Sequence, residues 1–169
     1  MRIFLIGFMG SGKTTFGKKL ASAMQVPFID LDHVFEKQEG CTIADYFARF
    51  GEADFRREEA AVLRTTDFPE DAVISTGGGT PCFHENMDWM NANGRTVYLM
   101  LPVKTLAQRL MPSLHTRPLL AGKSEDELED FIREKLEERE AFYDLAELRV
   151  PGINLTPAAL QDMLAGQRR

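Results

Sequence analysis

Residues 3–15 read I-F-L-I-G-F-M-G-S-G-K-T-T. Four apolar residues run straight into three glycines, a lysine and two threonines. Gly7-Phe8-Met9-Gly10-Ser11-Gly12-Lys13-Thr14 fits G-x-x-x-x-G-K-[ST] in full. The apolar run reads as a short buried strand. Phe16, Leu20 and Met24, four apart, read as a helix that begins near Gly12. A glycine loop between strand and helix is the setting in which this motif cradles phosphates. The glycines let the backbone curl until several N–H groups face one concavity, and the positive end of the helix dipole points there too. Gly10, Ser11, Gly12, Lys13, Thr14 and Thr15 are therefore candidate triphosphate ligands. Lys13 reaches the β- and γ-phosphates, and the Thr14 hydroxyl is placed for Mg²⁺.

The remaining pattern repeats strand then helix. Short apolar segments fall at 26–32, 72–75, 96–101 and 148–150. Helical periodicity or cap signals separate them. Thr42 with Asp45, and Ser124 with Glu127, read as capping boxes, Gly51 and Gly94 as stops, and Thr156-Pro157 as the start of a terminal helix. Alternation of this kind predicts an α/β fold with a parallel sheet covered on both faces. At 169 residues the chain fits a single domain. Residues 112–123 lack periodicity and read as a mobile lid. A net charge of −6 argues against a broad nucleic-acid footprint. The apolar runs are too short to span a membrane and there is no signal-peptide layout. Cys41 and Cys82 are too sparse for a disulfide scaffold, so a cytoplasmic setting is expected.

Ligands of such sheets lie at the carboxyl ends of the strands. No N-K-x-D base-reading motif occurs, which argues against a GTP switch. The strand ending in acid is F-I-D-L-D. Read as alternating strand residues, Asp30 and Asp32 point the same way, one toward metal and the other toward a substrate hydroxyl. The plainer alternative is that Asp32 caps the next helix. Arg56 shares a helix face with Ala60 and Leu63, whereas Arg57 points outward. Arg139 falls in an inward stripe with Leu128, Ile132, Leu136, Phe142 and Tyr143. A buried guanidinium cannot discharge and must find an anion, either an internal glutamate or an acidic ligand. Gly77-Gly78-Gly79 at a strand end allows close approach of a ligand, or is a plain turn. Arg117, in T-R-P-L-L, is a candidate for delivering charge to a transferring phosphoryl group once a lid closes, or is a solvent-exposed loop arginine.

In order along the chain, G-F-M-G-S-G-K-T-T, F-I-D-L-D, G-E-A-D-F-R-R-E-E, I-S-T-G-G-G and T-R-P-L-L-A-G resemble the shikimate kinase family over about residues 1–150. F-R-x-E with G-G-G and R-P-L-L carries most of that specificity. The resemblance implies a P-loop three-layer fold of the nucleoside-monophosphate-kinase type, with five parallel strands in the order 2-3-1-4-5. It implies a monomer that takes ATP, Mg²⁺ and shikimate and yields shikimate 3-phosphate and ADP. In that pattern Lys13, Asp32 and Arg117 are catalytic, with Asp32 on the ring hydroxyls. Arg56 and Arg139 bind the carboxylate, and Gly77, Gly78 and Gly79 line the ring. Thr14 and Asp30 serve the metal, and Arg109 stacks on adenine. The competing readings are a gluconate or nucleoside-monophosphate kinase, and a nucleotide-binding module without turnover.

Overall fold

A strand covered on both faces needs apolar side chains at both parities, and the first strand has them. The computed structural model of the chain describes residues 1–116 and 120–166. In β1 (Arg2–Ile6), Phe4 and Ile6 enter one core while Ile3 and Leu5 enter another. The first core lies under α3 (Ile43–Thr65), α4 (Asn86–Asn93) and α6 (Glu125–Tyr143), the second under α1 (Lys13–Met24) and α7 (Pro157–Gly166). The result is a three-layer α/β sandwich. β2 (Phe28–Asp30), β3 (Ala72–Ser75), β4 (Arg95–Met100) and β5 (Leu148–Pro151) complete a sheet with the order β2-β3-β1-β4-β5. Every pairing is parallel, so all strand carboxyl ends share one edge. A third cluster joins Phe8 to α5 (Val103–Leu110) and α6. Leu114 and Leu120, from the aperiodic stretch, pack into it.

The second strand is shorter than its apolar run suggested. It ends at Asp30, and Leu31 opens α2 (Leu31–Glu39). The cause is local: the Asp30 carboxylate accepts the Asp32 N–H at 3.0 Å and caps the helix. Asp32 is therefore a first-turn helix residue, not an alternate strand position, and the cap is Asp30. The helix expected from about residue 84 starts at Asn86, because His84 and Glu85 take left-handed backbone at φ 49° and 55°. In α3 the chain runs through Gly51, whose φ of 80° and ψ of 174° break the helix where a stop was expected. Phe142 leaves the inward stripe of α6 and is 40% exposed. From Ile132 it lies roughly 80° around the helix, whereas Tyr143 and Arg139 lie within about 20°. Among the described residues no helix is long and apolar enough to cross a membrane.

Candidate active site

The carboxyl edge of β1 leads into the glycine loop, which bends back on itself. Gly7, Gly10 and Gly12 take φ of 149°, 78° and 89°, values that favour glycine. Gly12 caps α1 without a side-chain bond, and the first turn of α1 carries no acidic residue. The positive end of the helix is thus left for an outside anion. Lys13 is buried, and its Nζ donates to Gly7 O at 2.7 Å and Phe8 O at 2.9 Å. Thr14 Oγ1 donates to Asp30 Oδ2 at 3.4 Å, which joins the two residues expected to serve a metal.

A cleft of about 370 Å³ opens beside this loop. Gly10, Gly12, Lys13, Thr14 and Thr15 form one side, with Asp30 and Asp32 next to them. Ile43, Phe47 and Phe55 of α3 supply an apolar wall. Arg56, Gly77, Gly78, Gly79 and Arg139 complete the lining. Ser11 and Arg109 face a separate recess of about 150 Å³, floored by Phe16, Gly152 and Leu155; Gly12 and Thr15 touch both. Arg109 lies against the loop, and a Cβ on Gly12 would sit 3.1 Å from its Nη1. Arg117 lies outside the described residues.

The three glycines make room for charge. A Cβ on Gly79 would fall 2.3 Å from Arg56 Nη2, and one on Gly78 would fall 3.3 Å from Arg139 Nη1. At Gly77 it would meet Asp32 Oδ1 at 3.1 Å and Glu59 Oε2 at 3.2 Å. Both expected inward arginines thus converge on one turn. Arg56 pairs with buried Glu59 at 3.1 Å and with exposed Glu52 at 3.5 Å. Its Nε, and Nη1 of Arg139, are withdrawn from solvent with no partner among the described residues. Orphaned guanidinium donors of this kind call for an acidic ligand.

The carboxyl of Asp32 is pushed up to about 6, first by burial, then by Glu59 and Asp30. Burial lifts the Cys82 thiol to about 11, so it stays protonated at neutral pH. Two contributors escaped the sequence reading. Glu59, not the Glu58 of F-R-x-E, is the buried acid; it accepts from Thr80 Oγ1 at 2.7 Å as well as from Arg56. Its spacing of three from Arg56 was the available signal. Tyr143 donates its hydroxyl to Gly78 O at 2.5 Å, tying α6 to the glycine turn. Nothing in the local pattern separates that tyrosine from an ordinary core aromatic.

A phosphate loop at a sheet edge, a paired hydroxyl and carboxylate, and two inward arginines, one buried and one half-buried, lining the same cleft define a P-loop kinase of small acidic metabolites. Comparison with known proteins narrows the class. The family described as shikimate kinase matches residues 9–164. A shikimate kinase of Parabacteroides distasonis is 49% identical over 147 residues, 87% of this chain and 85% of that protein. The crystal structure of shikimate kinase from Bacteroides thetaiotaomicron superposes with a TM-score of 0.92 at 42% identity, covering 98% of both chains. That of shikimate kinase from Acinetobacter baumannii in complex with shikimate gives 0.87 at 32% identity, covering 99% of this chain and 95% of that one. The chain belongs to the shikimate kinase family.

Proposed function

We infer that the protein transfers the γ-phosphoryl group of ATP to the 3-hydroxyl of shikimate, giving shikimate 3-phosphate and ADP on the route to chorismate and the aromatic amino acids. The observation that carries this reading is the convergence of Arg56 and Arg139 on the Gly77–Gly79 turn, in the same cleft as Lys13. Two guanidinium groups there fit a carboxylate, and bidentate pairing would fix its angle. The P-loop amides and Lys13 hold the triphosphate. Ser11, Thr15 and Arg109 contact the nucleotide in this reading, with Arg109 stacking on the base; their common place in the lining of the smaller recess supports it.

Asp32 faces the acceptor hydroxyl and orients it, and once ionised it can also take the proton. In a loose transition state positioning and charge matter most, so orientation is its main contribution. Thr14 and Asp30 would hold Mg²⁺. That ion would supply charge neutralisation of the phosphates, and the paired oxygens of the Thr14 hydroxyl and the Asp30 carboxylate fit it. Arg117, in the lid at about 112–123, adds a cation to the phosphoryl group on closure. The whole chain acts as one kinase domain, as a cytoplasmic monomer without nucleic-acid or membrane partners.

A coupled assay of ADP release with shikimate, gluconate, AMP or no acceptor tests the reading. Turnover should require shikimate and fall at least about 100-fold, to a low but measurable rate, in both Arg56→Ala and Lys13→Ala. Equal ADP release without acceptor would make the protein an ATPase, and turnover only with gluconate or AMP would reassign the substrate.

A further inference from the structure

We propose that the turn after the three glycines is an arginine cradle, in which Thr80 and Phe83 act as positioning residues for Arg56. The proposal rests on the reading of Arg56 as a carboxylate-binding group. Neither Thr80 nor Phe83 lines the cleft. The ring of Phe83 covers the guanidinium of Arg56, with Cζ 4.5 Å from the ring centroid. At its edge, Glu59 Oε1 accepts from Arg56 Nη1 at 3.1 Å. The other oxygen of that carboxylate accepts from Thr80 Oγ1 at 2.7 Å. Thr80 is fully buried and Glu59 nearly so.

These contacts divide the task. An aromatic face sets the plane of a guanidinium. A carboxylate at its edge sets rotation within that plane. Thr80 fixes the carboxylate in turn, because a second strong bond removes the freedom of Glu59 to rotate. The missing Cβ of Gly79 leaves the space that Arg56 fills. The turn is itself pinned from behind. Asn86 Nδ2 donates to Thr80 O at 2.9 Å, and Arg64 donates to Asn86 Oδ1 and to His84 O, both at 2.6 Å. Arg64 lies on α3 two turns beyond Arg56, so one helix anchors the turn with one arginine and receives support for another.

Steady-state kinetics on the full chain test this. Phe83→Leu keeps apolar bulk and loses the aromatic face; Thr80→Val keeps shape and loses the hydroxyl. Each should raise KM for shikimate about 5-fold, leaving kcat and KM for ATP within about two-fold of wild type. Phe83→Tyr and Thr80→Ser should restore the wild-type KM. On an Arg56→Ala background, Phe83→Leu should lower kcat/KM no further, since its effect runs through the missing side chain. An unchanged shikimate KM in Phe83→Leu, with that of Arg56→Ala raised, overturns the cradle alone. An unchanged KM in Arg56→Ala overturns the carboxylate reading beneath it. A loss shared among kcat and both KM values, or one adding fully to Arg56→Ala, marks general packing and also overturns the cradle. Should Phe83→Leu not fold, Thr80→Val decides by the same measures.

Discussion

Asp32 is held in its site against its own preference. Burial and two neighbouring carboxylates raise its carboxyl from 3.8 to about 6. Between those values the folded protein keeps a proton that the unfolded chain releases. Stability from this group is therefore full below about pH 4, declines as pH rises through 6, and stays lost above it. A shift of about two units corresponds to at most about 3 kcal/mol, and partial solvation reduces it. Asp32→Asn, which carries no charge to bury, should raise Tm at pH 8 by several degrees, on the order of 1–3 kcal/mol, and leave it unchanged near pH 4. Its activity should be largely lost. In the wild type the acid limb of kcat/KM should fall near pH 6, because both orienting and accepting a proton need the carboxylate. Thermal melts and pH profiles check both; an Asp32→Asn variant no more stable at pH 8 would show the site to be relaxed. Strain of this kind was invisible in the sequence. F-I-D-L-D shows two acids close together, but not that Glu59, from another helix, closes on them.

Elements whose signals were local were legible. The P-loop, the Ser124–Glu127 capping box and the Gly51 break all occur where their residues put them. The box is reciprocal, with Ser124 N donating to Glu127 and Glu127 N to the Ser124 hydroxyl. Errors arose where one residue served two patterns: Asp30 ends a strand by capping a helix, so the period of two stopped early. The seat of α1 on the sheet depends on a residue that periodicity does not mark. Gly17 faces β2 and β1, and a Cβ there would lie 2.6 Å from the Phe28 ring and 3.0 Å from Leu5. Gly17→Ala should gain about 1 kcal/mol in helix propensity yet lose more to overpacking. The net expectation is a destabilisation of about 1–2 kcal/mol, read as a lower denaturant midpoint with an unchanged m-value. Because α1 begins at Lys13, KM for ATP should rise while KM for shikimate holds. A stability gain instead would mean that Phe28 yields without cost.

At the scale of the molecule, strand order is a non-local property. Alternating strands and helices imply a parallel sheet, but nothing in their spacing says that β1 lies between β3 and β4; the order 2-3-1-4-5 came from family resemblance alone. That order has a chemical consequence. It sets the P-loop of β1 beside the glycine turn of β3, with the acid of β2 next in line, so that triphosphate and acceptor sites share one edge. The net charge of −6 opposes anionic ligands only weakly, since salt screens distant charges beyond about 8 Å and the arginines act at contact. The acceptor site should therefore bind without nucleotide. At about 100 times its Kd, shikimate alone should stabilise the fold by about 2.7 kcal/mol and raise Tm by roughly 5–10 °C. Arg139→Ala, which removes a guanidinium with an orphaned donor, should abolish that shift while ADP with magnesium still raises Tm, since the P-loop is untouched. Differential scanning calorimetry of both proteins with each ligand measures this. If shikimate shifts Tm only when nucleotide is present, the cleft is assembled by the triphosphate rather than by the sheet edge.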